Sequence, residues 1–280
     1  MIQVIKPGLY TSVQDLGRFK SLHYGVPVSG CMDQTSARIA NAILNNTSDC
    51  AVLEMTLKGG HFRFKVSTNL CITGADMSPR LNNSPVKMYT TIPVHAGDEL
   101  ILHRAIQGSR SYLAVSKGIQ TPKILNSRSM YQGVTESFRI SKGDELAIDE
   151  SPIKLKSNAV VKGRIESPEN IFLKAFKGPE FNQLKTHQIE TLGSMSFTIS
   201  KESNRMAFPL EENFSNQLDP IITSLVLPGT VQLTPGGKLI ILMRDCQITG
   251  GYPRVLQLTK VAINTLAQKQ LKDKIRFTII

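Results

Sequence analysis

Apolar residues along this chain fall into short runs that alternate with polar residues or sit between Gly and Pro. Such runs predict strands at residues 62–66, 69–73, 86–91, 99–103, 111–115, 145–148, 171–175, 196–200, 230–233 and 238–243. Strands this dense, with turn residues between them, predict a mainly β fold of barrels or sandwiches rather than a doubly wound sheet. Helical periodicity is confined to a few places. Residues 33–45 carry an N-cap candidate in Asp33 and apolar Ala37, Ile39, Ala40, Ile43 and Leu44 at helical spacing. Residues 260–269 place Val261, Ala262 and Leu266 for one face, and 179–188 form a less regular third candidate. The segment 149–167, rich in Ser, Lys and Pro, is the predicted boundary between a domain at 1–160 and another at 161–280.

Two short echoes run through the pattern. Ala96-Gly-Asp-Glu-Leu100 recurs as Lys142-Gly-Asp-Glu-Leu146, and Ile72-Thr-Gly-Ala-Asp76 resembles Ile248-Thr-Gly-Gly-Tyr252. They fit either independent solutions to one hairpin problem or two related β domains.

Composition narrows the function. With 280 residues, 41% of them hydrophobic and 20% charged, the chain has the make-up of a globular protein with a substantial core. It contains no transmembrane-length apolar run and its N-terminus lacks a signal-peptide pattern, so a cytoplasmic location and no membrane partner are expected. Cys31, Cys50, Cys71 and Cys246 are too far apart for a zinc motif or a disulfide framework and read as free thiols. His23, His61, His95, His103 and His187 show no ligand spacing either, so no metal is expected. The net charge of +11 suits an acidic partner or an anionic small molecule. Its basic residues are scattered, without aromatic interleaving, and nucleic acid is not expected. No phosphate-binding glycine loop or nucleophile elbow is present. Val86-Lys-Met88 lacks the Met that precedes the lysine of a biotin attachment site, so the chain is not a biotin carrier.

Polar, glycine-flanked clusters remain. Residues 8–18 hold Gln14, Asp15 and Arg18 between glycines, too polar for a core strand. Residues 25–33 lead to Asp33, and 73–76 hold Thr73, Gly74 and Asp76. Asn41 and Glu54 interrupt apolar segments, where an unpaired polar group would cost a few kcal/mol, so each needs a partner in the chain or in a ligand. The densest cluster is 244–254, R-D-C-Q-I-T-G-G-Y-P-R, at the exit of an apolar strand. Gly250 and Gly251 there allow positive φ and close approach of a ligand or another backbone. The stretch fits either a polar turn closing a hairpin or one wall of a pocket. In the second reading Q-D-L-G-R and T-G-A-D are its companions.

In order and spacing, T-S-V-Q-D-L-G-R (11–18), G-V-P-V-S-G-x-M-D (25–33), A-N (40–41), L-E-x-T (53–56), T-G-A-D (73–76), Y-L-A-V (112–115), S-R-S (127–129), S-N-R-M (203–206) and Q-I-T-G-G-Y-P (247–253) resemble the family of C-type subunits of 5-oxoprolinase. That family is related to the carboxyltransferase region of urea carboxylase and includes the Kip antagonist proteins. The resemblance implies two cyclophilin-like β-barrel domains and a complex with a B-type (Kip-inhibitor-like) and an A-type subunit. That complex uses ATP to hydrolyse 5-oxoproline to glutamate. Carboxybiotin would enter only if the chain works as a carboxyltransferase component on urea or another amide. A third reading is a regulator that binds a Kip-inhibitor-like partner.

Under the resemblance, Gln14, Asp15, Arg18, Asp76, Asp245 and Gln247 are candidate catalytic residues. Asp33, Asn41, Glu54, Thr73, Gly74, Arg205, Gln232, Thr249, Gly250, Gly251 and Tyr252 are candidate substrate contacts, with Arg18 or Arg205 matched to a substrate carboxylate. The chain departs from the family pattern at Asn126 (usually Gly), Asn204 (Asp), Ala207 (Gly), Pro209 (Arg) and Cys246 (Arg).

Overall fold

The computed structural model describes residues 1–152 and 171–280, so most of the predicted boundary segment lies outside the described residues. The chain divides into two compact units: Met1–Phe19 with Ser29–Ile165, and Lys20–Val28 with Glu166–Ile280. The architecture is mainly β with three helices.

Unit 1 begins with β1 (Ile2–Lys6) and β2 (Tyr10–Gln14), then helix α1 (Gln34–Ile43), β3 (Val52–Thr56), β4 (His61–Phe64) and β5 (Thr68–Asp76). It continues through β6 (Arg80–Leu81), β7 (Ser84–Pro85), β8 (Ile92–Val94), β9 (Glu99–Ile101), β10 (Gln107–Val115) and β11 (Glu145–Leu146). These strands form two sheets, one ordered β11-β1-β4-β9-β6-β7 and the other β2-β3-β10-β5-β8. Ile2, Val4, Phe62, Phe64 and Leu100 of the first meet Val13, Leu53, Met55, Leu70, Ile72, Leu113 and Val115 of the second in one core.

The second sheet is covered on its other face by α1, where Ala37, Ala40 and Ile43 pack on Val52, Cys71, Tyr112 and Ala114. Burial on both faces explains why the predicted runs within β5 and β10 are near-continuously apolar rather than cleanly alternating. It also fixes which residues share the α1 face. Strand parity puts Ser12, Gln14, Glu54, Thr73, Arg110 and Tyr112 there together.

Unit 2 comprises β12 (Phe172–Lys177), α2 (Thr186–Ser194), β13 (Phe197–Thr198), β14 (Ala207–Asn213), β15 (Ser224–Leu225), β16 (Thr230–Leu233) and β17 (Lys238–Leu242). It ends with β18 (Thr249–Gly250), β19 (Arg254–Leu258), α3 (Lys260–Ala267) and β20 (Lys274–Ile279). Seven strands form a sheet ordered β13-β20-β12-β19-β16-β17-β14. An Ile199–Leu210 bridge joins its two ends, so the sheet is nearly closed into a barrel. Leu173, Val231, Leu239, Ile241, Leu256 and Phe277 fill its interior. Strands β15 and β18 form a separate two-stranded ribbon. A second closed barrel is not seen among the described residues: unit 1 packs two separate sheets instead.

Several expectations change. Residues 86–91 form a loop rather than a strand, because Tyr89 adopts φ 58° and turns its ring inward, its hydroxyl bonding Gly74. Residues 10–14, read as too polar for a core strand, form β2. Ser12 and Gln14 share the polar part of the α1 face with Glu54, Thr73 and Arg110, so burial there does not require apolar side chains. The third helix candidate shifts: 181–183 is a short 3-10 turn and α2 begins at Thr186. Strands β1, β3, β14, β19 and β20 lie outside the predicted runs.

The G-D-E-L echo is a genuine structural repeat. Gly97 and Gly143 take φ 95° and 93°, and Asp98 and Asp144 each accept from the backbone N–H three residues back, at 2.8 Å. The I-T-G echo is not. Gly74 lies in β5 with φ 80°, whereas Gly250 sits in a ribbon strand without positive φ.

Of the four cysteines, Cys31, Cys71 and Cys246 are buried and Cys50 is partly exposed. Burial pushes the Cys71 and Cys246 thiols up to about 12. A thiol-disulfide exchange reagent should titrate one thiol quickly in the native chain and all four after denaturation. Rapid native labelling of three or more would contradict this packing.

Candidate functional site

At the end of β2 the chain turns sharply, and Asp15 organises the turn. Its Oδ1 accepts from the Gly17 N–H (2.8 Å) and from the hydroxyls of Ser127 (2.7 Å) and Ser129 (2.6 Å), while Oδ2 accepts from the Arg128 N–H (2.7 Å). The Ser129 hydroxyl also accepts from the Asp15 N–H at 3.0 Å. Arg18, fully buried, donates to the Ser129 carbonyl. The Q-D-L-G-R and S-R-S motifs are therefore two halves of one knot. Gly30 belongs to it as well: a Cβ there would come within 2.8 Å of the Leu16 and Gly17 backbone. Gln14 donates to the Ser12 hydroxyl (2.9 Å) and the Met130 carbonyl (3.1 Å), and its Oε1 is buried with no hydrogen-bond donor among the described residues.

The S-R-S loop reaches the knot through a tight turn in which Leu125 and Asn126 take φ 51° and 61°. A left-handed backbone explains the glycine that the family pattern carries at the second position, and Asn tolerates it best among the alternatives.

Beside the knot, the buried carboxylate of Glu54 accepts from the Met32 N–H at 2.7 Å and lies 4.0 Å from the Arg110 guanidinium. Tyr112 stands opposite Glu54 across β3 and β10 and accepts from the Asp33 N–H at 2.7 Å. Burial, then the Glu54 and Asp33 carboxylates, hold its phenol well above the usual range. Asp33 caps α1, accepting from the Ser36 N–H (3.1 Å) and hydroxyl (2.6 Å). Thr73 donates to the Ser36 carbonyl at 2.8 Å, tying β5 to the helix. Asn41 donates to the Cys50 carbonyl (2.8 Å) and accepts from Asn46 (3.0 Å), closing the other end of α1. Asp33, Asn41, Glu54 and Thr73 thus devote these bonds to docking one helix, which meets the need for partners that their burial raised.

In unit 2, Arg205 and Asp245 form a buried bidentate pair, Nε–Oδ2 2.8 Å and Nη2–Oδ1 3.0 Å. Arg205 gives its fork to its own chain, so the expected match to a substrate carboxylate does not describe that pair of nitrogens. Arg254, beyond β18, donates to both oxygens of Glu180 (3.0 and 2.8 Å) and to the Ser224 hydroxyl (2.6 Å), clamping the ribbon to the barrel. That guanidinium holds the Glu180 carboxyl below its ordinary range. The sequence offers no sign of Glu180, since a lone carboxylate before an irregular helix has no pattern.

Gly250 and Gly251 have no positive φ, contrary to expectation. A Cβ on Gly250 would lie 2.6 Å from Nε2 of Gln232. Within 244–254, Thr249 and Tyr252 are exposed and Gln247 is half-buried, while Gln232 beneath is buried.

The departures from the family pattern are accommodated locally. Asn204 Oδ1 accepts from the Met206 and Ala207 N–H groups (2.7 and 3.2 Å), a task that an Asp would perform equally. Pro209 sits in β14 opposite Ile240, and Ala207 and Cys246 pack with Val226 and Leu242. A charged side chain could not occupy the Cys246 position in this packing without losing its water.

A cleft of about 590 Å³ opens to solvent in unit 1 beside the end of β5, lined by Asp76, Ser78, Arg80, Lys87, Met88 and Tyr89 with prolines between. Among the described residues, no three His, Cys, Asp or Glu side chains gather as a metal-ligand set. No helix among them is long and apolar enough to cross a membrane.

A mainly β chain with a helix-docked polar sheet face and a nearly closed barrel has direct counterparts. The chain belongs to the family described as "Carboxyltransferase domain, subdomain A and B", whose pattern it matches over residues 24–279. It is 31% identical to the C-type subunit of 5-oxoprolinase from Escherichia coli (strain K12), covering 99% of this chain and 90% of that protein. The crystal structure of TTHA0988 superposes with a TM-score of 0.87 at 25% identity, covering 99% of this chain and 55% of that one. The Kluyveromyces lactis urea carboxylase gives a TM-score of 0.86 at 25% identity, with all of this chain but 27% of that one. The chain thus spans about half or less of these solved relatives.

Proposed function

We propose that this chain is the C-type subunit of an ATP-dependent 5-oxoprolinase, acting with A- and B-type subunits to hydrolyse 5-oxo-L-proline to L-glutamate. The observation that supports this reading best is the near full-length correspondence with the C-type subunit of the Escherichia coli 5-oxoprolinase. A lactam is an amide, and its opening requires polarisation of the carbonyl by fixed dipoles in a site shielded from water. ATP is assigned to the complex and no site for it to this chain.

A test is co-purification with a B-type partner, addition of an A-type subunit, and measurement of ADP release that depends on 5-oxoproline. Glutamate and ADP should form together, and neither should form when this chain is left out. Absence of both products from the complete mixture would sink the proposal. The likeness to a urea carboxylase favours a second reading, carboxyl transfer from carboxybiotin to an amide. In that case the chain would instead consume a carboxylated biotin carrier in the presence of urea.

A further inference from the structure

We infer that the cleft beside the end of β5 binds a small molecule carrying a carboxylate next to an amide N–H, with Arg80 and Lys87 taking the carboxylate and Asp76 accepting from the N–H. The chemical class rests on the cleft alone; the choice of 5-oxoproline as its member rests on the 5-oxoprolinase reading above.

Its polar lining is under-used by the chain. The ammonium of Lys87 is exposed and makes no hydrogen bond or ion pair with any described residue. Arg80 gives only Nη1 to the chain, on the Asn83 carbonyl at 2.7 Å, leaving the other guanidinium N–H groups facing water. Asp76 accepts from the Ser78 N–H through Oδ1 at 2.8 Å, and Oδ2 is left over. Two cations and one half-used carboxylate, on walls a few residues apart, match a molecule that is anionic at one end and an N–H donor at the other.

The walls are also held in place. Tyr89 is buried, with its hydroxyl accepting from the Gly74 N–H at 2.9 Å, and its backbone N–H donates to the Ile72 carbonyl at 2.9 Å. Val86 and Met88 pack against the core, giving the cleft a fixed apolar floor. Ser78 and Tyr89, at its two ends, take φ 48° and 58°. A preformed cleft loses little freedom on binding. The contrast with the two arginines expected to take a substrate carboxylate is direct: Arg18 is fully buried and Arg205 is committed to Asp245, whereas Arg80 and Lys87 are open to an incoming anion.

The test is calorimetric titration of the full chain with 5-oxo-L-proline, alongside 2-pyrrolidinone, which keeps the lactam and lacks the carboxylate. Saturable binding of 5-oxoproline is expected, with no competition from 2-pyrrolidinone. Arg80→Ala and Lys87→Ala should each weaken binding about tenfold or more, the scale of a lost charge-assisted bond. Lys142→Ala, on an exposed turn, should leave it unchanged. Thermal unfolding at the wild-type temperature would confirm that the variants fold.

No saturable binding, or wild-type affinity in either cleft variant, overturns the inference. Two results separate it from the function it builds on. A reconstituted complex that hydrolyses 5-oxoproline with unchanged KM in Arg80→Ala and Lys87→Ala removes the cleft and leaves the function. Carboxylate binding that needs both residues, in a chain that supports no 5-oxoproline-dependent ATP hydrolysis, removes the function and leaves the cleft.

Discussion

Asp15→Ala should destabilise the chain by about 4 kcal/mol, at the upper end of single-substitution effects. Its carboxylate accepts four hydrogen bonds, two from backbone N–H groups and two from serine hydroxyls. Removing it strands those donors in a site where both serines are fully buried. Asp15→Asn keeps the shape but turns an amide NH2 toward donors, and should cost about half as much. Urea unfolding of the purified chain measures both. The result discriminates between two roles: a purely catalytic Asp15 would give an Asn variant of wild-type stability and lost activity. A knot predicts that stability falls first and that activity follows the folded fraction.

Asp245→Ala is expected to cost about 3–5 kcal/mol, because it leaves the Arg205 guanidinium buried without its bidentate acceptor. Replacing the pair together, as Arg205→Met with Asp245→Leu, should recover much of that loss, since two apolar side chains need no compensating charge. A double-mutant cycle in thermal or chemical unfolding reads the coupling directly. If Asp245→Ala unfolds like the wild type, the pair does not hold the segment leaving β17, and Asp245 returns to the set of residues available for chemistry.

Much of unit 2's sheet was legible because its strands are bounded by Gly and Pro and show apolar periodicity. The run 230–233 coincides with β16, and β17 ends one residue short of the predicted 243. Asp33 was legible as a cap because its chemistry is local: its acceptor role reaches only three residues ahead. The polar strand β2 was not, since its burial depends on β3, some forty residues on, and on the chain at Met130.

The motifs with polar residues were recognisable, but their roles were not. Asp15 looks the same in a sequence whether it meets a substrate or Ser127 and Ser129, which lie more than a hundred residues away. Arg205 and Asp245 likewise hide their pairing behind some forty residues of intervening chain. Arg80 and Lys87 are not legible as a pair, because single basic residues near prolines carry no pattern and only the loop taken by 86–91 brings them to one cleft.

The knot at Asp15 has a consequence for the order in which the molecule comes into being. Residues 15 and 127–129 must meet for β2 to be secured, and β1 completes its sheet edge only by pairing Ile2 with Leu146. Closing a loop of this length carries an entropic cost that no local contact repays beforehand. At ribosomal speeds of about 5–20 residues per second, the first two strands wait several seconds for their partners. During that interval Ile2, Val4 and Val13, all core residues in the finished unit, lack part of their cover. The N-terminal half of the chain therefore depends, during synthesis, on whatever shields nascent apolar segments.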